Sequence, residues 1–492
     1  MRLLLPLPLV LPLAAAGLSL ALHGHRLAQR AVSLVTITSV VVISAVLLAR
    51  VEQDGPTAVD VGAWGAPVGI TLVLDLFAAM MLLVSAAMVL VVLVYAIGSP
   101  RTSDQARYFH PVYLVLAAGV SGSFLTGDLF NLFVAFEIML TASYVLITLG
   151  GSHAQVRSGM TYVVISLVAS MLFLTGVAFV YAATGTVNLA HLAGRVAELP
   201  DGIRLALALL FLVVFGIKAA IFPLFFWLPD AYPTAPTPVT AIFAGLLTKV
   251  GVYAIFRTQT LVFPGTRIST VLLVVACTTM LVGVLGAIAQ NDVKRILSFH
   301  IVSQIGYMIL GLGFFTVAGV AGAIFYIVHH IVVKTTLFLV GGLVEHHAGT
   351  GALDRVGGLV RHAPVLAPLF LLPALSLAGL PPFSGFVAKL ALVQAGLADE
   401  HYVAVGISLL VSILTLFSMT KIWGAVFWGE AEDPVHDPDE KRPLPRLMVA
   451  PTVALVLVSL AIAGGAGPVW RLSERAAAGL LDARPYVEAV LG

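Results

Sequence analysis

The chain has 492 residues, 60% of them hydrophobic and only 10% charged, with a mean hydropathy of +1.05. No soluble domain of this size hides so much apolar surface, so the composition is that of a membrane protein. A net charge of +2 is too small to imply nucleic-acid binding, and the single cysteine, Cys277, excludes an intramolecular disulfide and any multi-cysteine metal or iron–sulfur site.

Apolar runs of about 20 residues, the length that spans a bilayer, recur along the whole chain. They predict an all-α polytopic membrane protein with about fourteen transmembrane helices, near 3–22, 31–50, 68–97, 109–126, 128–149, 158–182, 204–230, 237–260, 269–290, 296–313, 315–345, 364–398, 402–428 and 446–466. The first run, with Arg2 ahead and Ala14-Ala15-Ala16 behind, has the outline of a signal peptide. It reads as an uncleaved helix because no secreted domain follows. The third run carries Asp75 in GITLVLDLFAAMML, whose role the residues leave open. In the fifth, Glu137 is the only interior acid, while Asp128 stands at the segment's start and reads as a helix terminus.

The seventh run, GIKAAIFPLFFWLPDAYPTAPTP, holds Lys218 with Pro223 five residues later and Asp230 near its end. Lys249 lies in the eighth, FAGLLTKVGVYAIF. In the eleventh, AIFYIVHHIVVKTTLFLV, Tyr326, His330 and Lys334 recur every four residues and share one helix face. With Thr335 and Thr336 beside them they have the pattern of a hydrated proton wire. His329 points about 100° away and reads as packing. The twelfth run, SLAGLPPFSGFVAKLAL, places Pro381-Pro382 just before Lys389. Lys421, in the thirteenth, lies near Trp423 and Trp428 and has the setting of a lysine snorkelling to an interface. The mixed segment near 468–490 reads as an interfacial helix.

Five of the seven lysines thus fall inside apolar runs, and on this reading none of the nineteen arginines does. A charge in hydrocarbon costs at least about 3 kcal/mol, and lysine, unlike arginine, can shed its proton when desolvated. The pattern points to proton movement through the membrane. Glu137, equally out of place, is expected to lie in contact range of Lys218 across helices five and seven. Proline removes an amide donor, and interrupted backbone at membrane depth survives only where protein or water satisfies it. Paired interruptions mark the ion path of transporters built from inverted repeats.

Lys218 and Lys249 are 31 residues apart, and Lys389 and Lys421 are 32 apart, which sets an offset of 171 or 172 residues between two halves. The expected units are 1–108 (helices one to three), 109–260 (helices four to eight), 261–428 (helices nine to thirteen) and 429–492 (helix fourteen and the interfacial segment). Five helices is an odd number, so the second unit enters the membrane from the opposite side. Twelve basic loop residues fall on one side and nine on the other (Arg2, Arg50, Arg195, Arg204, Arg257, Arg267, Arg471, Arg475 and Arg484), which favours both termini outside.

The segments LFNLFVAFEIMLTASYVLITLGG, GIKAAIFPLFFWLPDAYPTAPTPVTAIFAGLLTKVGVYAIFR, NDVKRILSFHIVSQIGYMILG and GLPPFSGFVAKL resemble the proton-translocating antiporter-like subunits. These occur in respiratory NADH dehydrogenase (complex I) and in Mrp-type multisubunit sodium/proton antiporters. PLFFWLPDAYPTAPTPVTA and GALDRVGGL resemble the D-type branch of the Mrp subunits. The resemblance implies two inverted five-helix repeats with helices seven and twelve broken. It matches Glu137 to the family's fifth-helix glutamate and Lys218 to its seventh-helix partner. Lys249 matches the central eighth-helix lysine, His330 and Lys334 the titratable positions of helix eleven, and Lys389 the lysine at the outlet of the proton path.

The function so implied is proton transfer through Glu137, Lys218, Lys249, His330, Lys334 and Lys389, coupled to sodium export. It would take place in a prokaryotic plasma membrane, with other Mrp subunits as partners. Neither nucleic acid nor a cofactor is expected. The alternatives are a proton-pumping subunit of NADH-quinone oxidoreductase or of a membrane-bound hydrogenase, and a structural scaffold subunit.

Overall fold

The computed structural model describes residues 3–99, 108–265, 268–432, 435 and 443–492. Of the loop charges used above, Arg2, Arg101, Arg107, Arg267, Lys441 and Arg442 lie outside these residues. The fold is a helical bundle. Its first helices are α1 (Leu7–Ala21), α2 (Arg26–Asp54), α3 (Leu76–Gly98), α4 (Phe109–Leu125), α5 (Leu129–Thr148), α6 (His153–Thr184) and α7 (Asp201–Ala219). Next come α8 (Thr237–Val262), α9 (Ser269–Ile288), α10 (Val293–Gly313), α11 (Val317–Ala348), α12 (Leu366–Ala378) and α13 (Ser384–Ala398). The last are α14 (Tyr402–Trp428), α15 (Arg446–Gly464), α16 (Ala466–Leu481) and α17 (Arg484–Leu491). Eleven are long and apolar enough to cross a membrane, and α1, α4, α12 and α13 are shorter apolar helices. α1 packs against α2 and α4 as an integral part of the bundle.

Side-chain caps set the starts. Asp75 accepts the Ala78 amide at 2.8 Å to begin α3, Asp128 the Asn131 amide at 2.7 Å to begin α5, and Asp292 the Arg295 amide at 2.9 Å to begin α10. A capping box of Ser152 and Gln155 opens α6. Gly185 ends α6 and Gly349 ends α11, both in the left-handed conformation that glycine adopts without penalty. The third apolar run is not helical from its start. β1 (Thr57–Asp60) and β2 (Thr71–Leu74) form an antiparallel hairpin with Thr57 opposite Leu74, and the helix begins only after the Asp75 cap.

The core lies around α8, α10 and α11. The apolar windows of α8 and α11 are buried throughout, whereas α2, α6, α9, α14 and α15 expose most of theirs. α11 passes through the middle, packed on α3, α8, α10, α12, α13, α15 and α16. The amphipathic α16 buries Ser473, Ala476, Ala477 and Leu480 and packs on α3 and α11.

Both expected breaks are present, and in each the freed backbone groups find partners. α7 stops at Ala220, which is left-handed (φ 59°). Past it, the Phe222 amide donates to the Thr279 hydroxyl on α9 at 3.0 Å, and the Trp227 indole donates to the Ile217 carbonyl at 3.0 Å. α12 stops at Gly379 (φ 87°), and the chain resumes as α13 at Ser384. α8 carries a different irregularity, π-helical turns at Phe243–Leu247 and Thr258–Val262.

The internal repeat has a shorter offset than the lysine spacing implied. Leu129 donates its amide to Val187 O and Leu189 to Gly127 O; Val293 donates to Gly351 O and Leu353 to Asn291 O, with each residue 164 positions further on. α6 and α11 are both 32 residues long and start 164 positions apart. The offset changes along the chain, since the break residues Ala220 and Gly379 are 159 apart. The lysine spacing misled because Lys218 precedes its break while Lys389 follows its own.

Candidate functional site

Glu137 projects from α5 and Lys218 from the last turn of α7; these helices touch through the stacked rings of Phe136 and Phe215, 6.0 Å apart, and α6 packs against both. The two charges meet through it. The Ser170 hydroxyl donates to Glu137 Oε1 and accepts from Lys218 Nζ at 3.0 Å. Lys218 Nζ also donates to the Ser166 carbonyl at 3.2 Å. The glutamate and lysine are therefore two hydrogen bonds apart rather than in a direct ion pair. Lys218, Ser166 and Ser170 are buried, and Glu137 is half-buried. A cavity of about 10 Å³, room for one water, is lined by Tyr162, Ser166, Lys218 and Trp227 among others. Tyr162 stacks on Trp227 at 5.2 Å and shares a hydrogen bond with Ser143 at 2.8 Å.

Lys249 is completely buried. It folds back onto the π-helical turn before it, where Nζ donates to the Ala244 carbonyl at 2.5 Å and to the Thr248 hydroxyl at 3.2 Å. Such turns occur often at functional sites because they reposition carbonyls and side chains. Two glycines hold α8 close to its neighbours. A Cβ on Gly251 would lie 2.7 Å from the Ala219 amide nitrogen and 2.9 Å from the Lys218 carbonyl carbon, and one on Gly245 would strike the Thr335 hydroxyl. α8 thus touches the Lys218 segment on one side and α11 on the other.

On α11 the expected face is present. Tyr326, His330 and Lys334 are fully buried, and the Tyr326 and His330 rings stack at 6.2 Å. Lys334 Nζ, both His330 nitrogens and the Thr335 hydroxyl have no hydrogen-bond partner among the described residues; Lys334 Nζ stands 5.9 Å from the Phe338 ring centre. Tyr326 donates to Gln304 on α10, whose amide donates to Thr415 on α14 at 3.4 Å. Tyr326 also stacks on Tyr307 at 5.3 Å. Lys389 sits over the opposite end of this stack, 4.6 Å from the Tyr307 ring centre, and donates to the freed Ala378 carbonyl at the α12 break at 3.2 Å. The six expected residues thus extend from α5 to α13, buried except for the half-buried Glu137.

Other charged and polar groups stand apart from these residues or brace them. Lys421 caps the C-terminal end of α9, donating to Ile288 O at 3.0 Å, Gln290 O at 2.7 Å and Asn291 Oδ1 at 2.9 Å. Arg257, read from the sequence as a loop residue, is buried within α8 and pairs with Asp75 at 2.6 Å. Its guanidinium also bonds the Tyr253 hydroxyl at 3.1 Å and lies 5.0 Å from the Tyr486 ring centre of α17. One arginine does therefore enter an apolar run, against the sequence expectation, and the Asp75 carboxylate is what admits it. Lys294, also read as a loop charge, is buried and pairs with Glu345 at 2.6 Å. Asp230 pairs at the surface with Arg295 at 2.9 Å, and His329 bonds the Ser384 hydroxyl at 2.8 Å. Among the described residues no three His, Cys, Asp or Glu side chains cluster as a metal site.

Sequence reasoning missed Tyr162, Ser166 and Ser170. They stand 164 residues before Tyr326, His330 and Lys334, on the matching face of the matching helix. Aligning the two Asp-capped units would have found them. Gln304 and Tyr307 were missed because nothing in the sequence marks which face of α10 meets α11.

Residues 126–415 match the family of NADH:quinone oxidoreductase/Mrp antiporter transmembrane subunits. The chain is 45% identical over 489 residues to the D-type subunit of the Na(+)/H(+) antiporter of Alkalihalophilus pseudofirmus, covering 99% of this chain and 98% of that one. It is similar in structure to a chain of the Mrp complex from Dietzia sp., with a TM-score of 0.93, 37% identity and full coverage of both chains. A chain of respiratory complex I from Thermus thermophilus matches with a TM-score of 0.83 and 25% identity, covering 97% of this chain and 100% of that one.

Proposed function

Because the chain belongs to the NADH:quinone oxidoreductase/Mrp antiporter transmembrane family, we propose that it is the proton-translocating subunit of a multisubunit sodium/proton antiporter. It is a transporter subunit rather than an enzyme, working as a secondary transporter with other Mrp subunits in a prokaryotic plasma membrane. The two units, 109–260 and 261–428, are inverted repeats within a fourteen-crossing topology in which α12 and α13 together make one crossing.

The proton path runs through Glu137, Lys218, Lys249, His330, Lys334 and Lys389. Glu137 sets the charge state of Lys218, Lys249 carries the proton between the halves, and His330 and Lys334 pass it along α11. Lys389 exchanges it with one side of the membrane. The observation that carries this reading is the centre of the path: Lys334 and His330 are fully buried and, among the described residues, without protein partners for their nitrogens. Buried polar groups rarely go without hydrogen bonds, and water entering the site would supply them. A chain of water and basic side chains is a proton conductor.

The likeness to complex I supports a second reading, a proton-pumping subunit of a redox-driven complex. Genes for small antiporter subunits beside this one would support the first reading, and genes for flavin and iron–sulfur subunits the second. The direct test is Lys218→Ala in the assembled complex. Loss of antiport at unchanged assembly is expected; normal antiport would overturn the path, and loss of assembly alone would mark the lysine as scaffolding.

A further inference from the structure

Glu137 on α5 and Lys218 on α7 are joined by a neutral hydroxyl that a third helix, α6, supplies. The Ser170 Oγ accepts from Lys218 Nζ and donates its own proton to Glu137 Oε1. That polarity is required by the partners: an ammonium only donates and a carboxylate only accepts, so the hydroxyl between them is oriented. Ser170 is buried, and among the described residues the only other group bonded to the ammonium is the backbone carbonyl of Ser166. The position carries a second signal. Ser170 stands 164 residues before Lys334, and Ser166 the same distance before His330. Where α11 places a lysine and a histidine on the path, α6 places two hydroxyls.

We infer that Ser170 is a catalytic residue of proton transfer, the relay through which Lys218 and Glu137 exchange a proton. This deepens the proton-path reading above and rests on it. In the step, the Oγ–H bond of Ser170 breaks as a new O–H bond forms on the Glu137 carboxylate. At the same time an N–H bond of Lys218 breaks and its proton restores the serine hydroxyl. One proton leaves the lysine and one arrives on the glutamate, so an ammonium–carboxylate pair becomes an amine and a carboxylic acid with no net change in charge. The neutral pair removes two ions from a low-dielectric site at once, which makes the exchange accessible where moving either charge alone is costly. α5 and α7 touch through Phe136 and Phe215, yet the two charges are joined through the Ser170 hydroxyl of α6.

The test compares Ser170→Thr with Ser170→Val and Ser170→Ala in the assembled complex, measured as sodium-driven proton flux in membrane vesicles and normalised to assembled complex. Threonine and valine have nearly the same shape and differ by the hydroxyl. The relay predicts that Val and Ala lose flux by at least about tenfold, in keeping with a positioned proton-transfer group, and that Thr keeps it within a few-fold. Flux at the unmodified level in Val or Ala would overturn the relay, as would failure of both to assemble, which would make the hydroxyl structural. Glu137→Gln and Lys218→Ala run beside them. If these two transport normally the path itself is wrong; if they are inactive while Ser170→Ala transports, only the relay is wrong.

Discussion

Lys421 and Lys334 are both lysines in long apolar helices, yet the first ends on three oxygens and the second, among the described residues, on none. The three bonds to the end of α9 make Lys421 a helix cap. Lys421→Ala is expected to cost about 1–3 kcal/mol by leaving those acceptors short, seen as a lower unfolding temperature of the purified complex, with flux per assembled complex retained. Asp75 and Arg257 are a second structural pair. Asp75→Ala strands a buried guanidinium, for which about 3–5 kcal/mol of destabilisation is expected, and Arg257→Met on top of it should recover part of the loss. If the double variant is no more stable than Asp75→Ala, the guanidinium is not the source of the cost. At this scale the lysines and Glu137 were legible because ionisable groups are rare in apolar runs. Ser166 and Ser170 were not, since a hydroxyl can bond its own helix and is unremarked there. Arg257 was missed because its partner, Asp75, is 182 positions away in the chain.

Elements carry the site by being interrupted. α7 and the α12–α13 pair are broken beside Lys218 and Lys389, and α8 is widened into a π turn beside Lys249. The prolines announced the two breaks. The π turn had no signature, because Phe243–Leu247 has the composition of any apolar helix, and β2 was hidden inside a run whose hydrophobicity merged with α3. Gly251 is the point of close approach between α7 and α8. Gly251→Val is expected to force the helices apart at a cost of about 1–3 kcal/mol, lowering both thermal stability and flux. Gly406→Ala on α14, where a Cβ meets nothing within 4 Å, should leave both intact. Equal stability in the two variants would show that the close approach of α8 to Lys218 is not needed.

Across the whole molecule, the repeat sets α8 and α11 side by side at the centre and leaves α2, α6, α9, α14 and α15 with exposed apolar faces for lipid or neighbouring subunits. The lysine spacing gave an offset longer than the one between the Asp128 and Asp292 caps, which are 164 residues apart and are tied by matching backbone bridges. The proposed path residues are basic apart from Glu137, and among the described residues no three His, Cys, Asp or Glu side chains cluster. The purified chain alone, in liposomes with a sodium gradient, is therefore expected to show no sodium-dependent proton flux, and flux from it would place the sodium path in this subunit.

In the proposed path one continuous proton route crosses both repeats, and Lys249 is where the halves join. Lys249→Ala should abolish sodium-driven proton flux per assembled complex, measured beside Lys421→Ala, which should keep it. Normal flux in the Lys249 variant, or equal loss in both at unchanged assembly, would contradict the path.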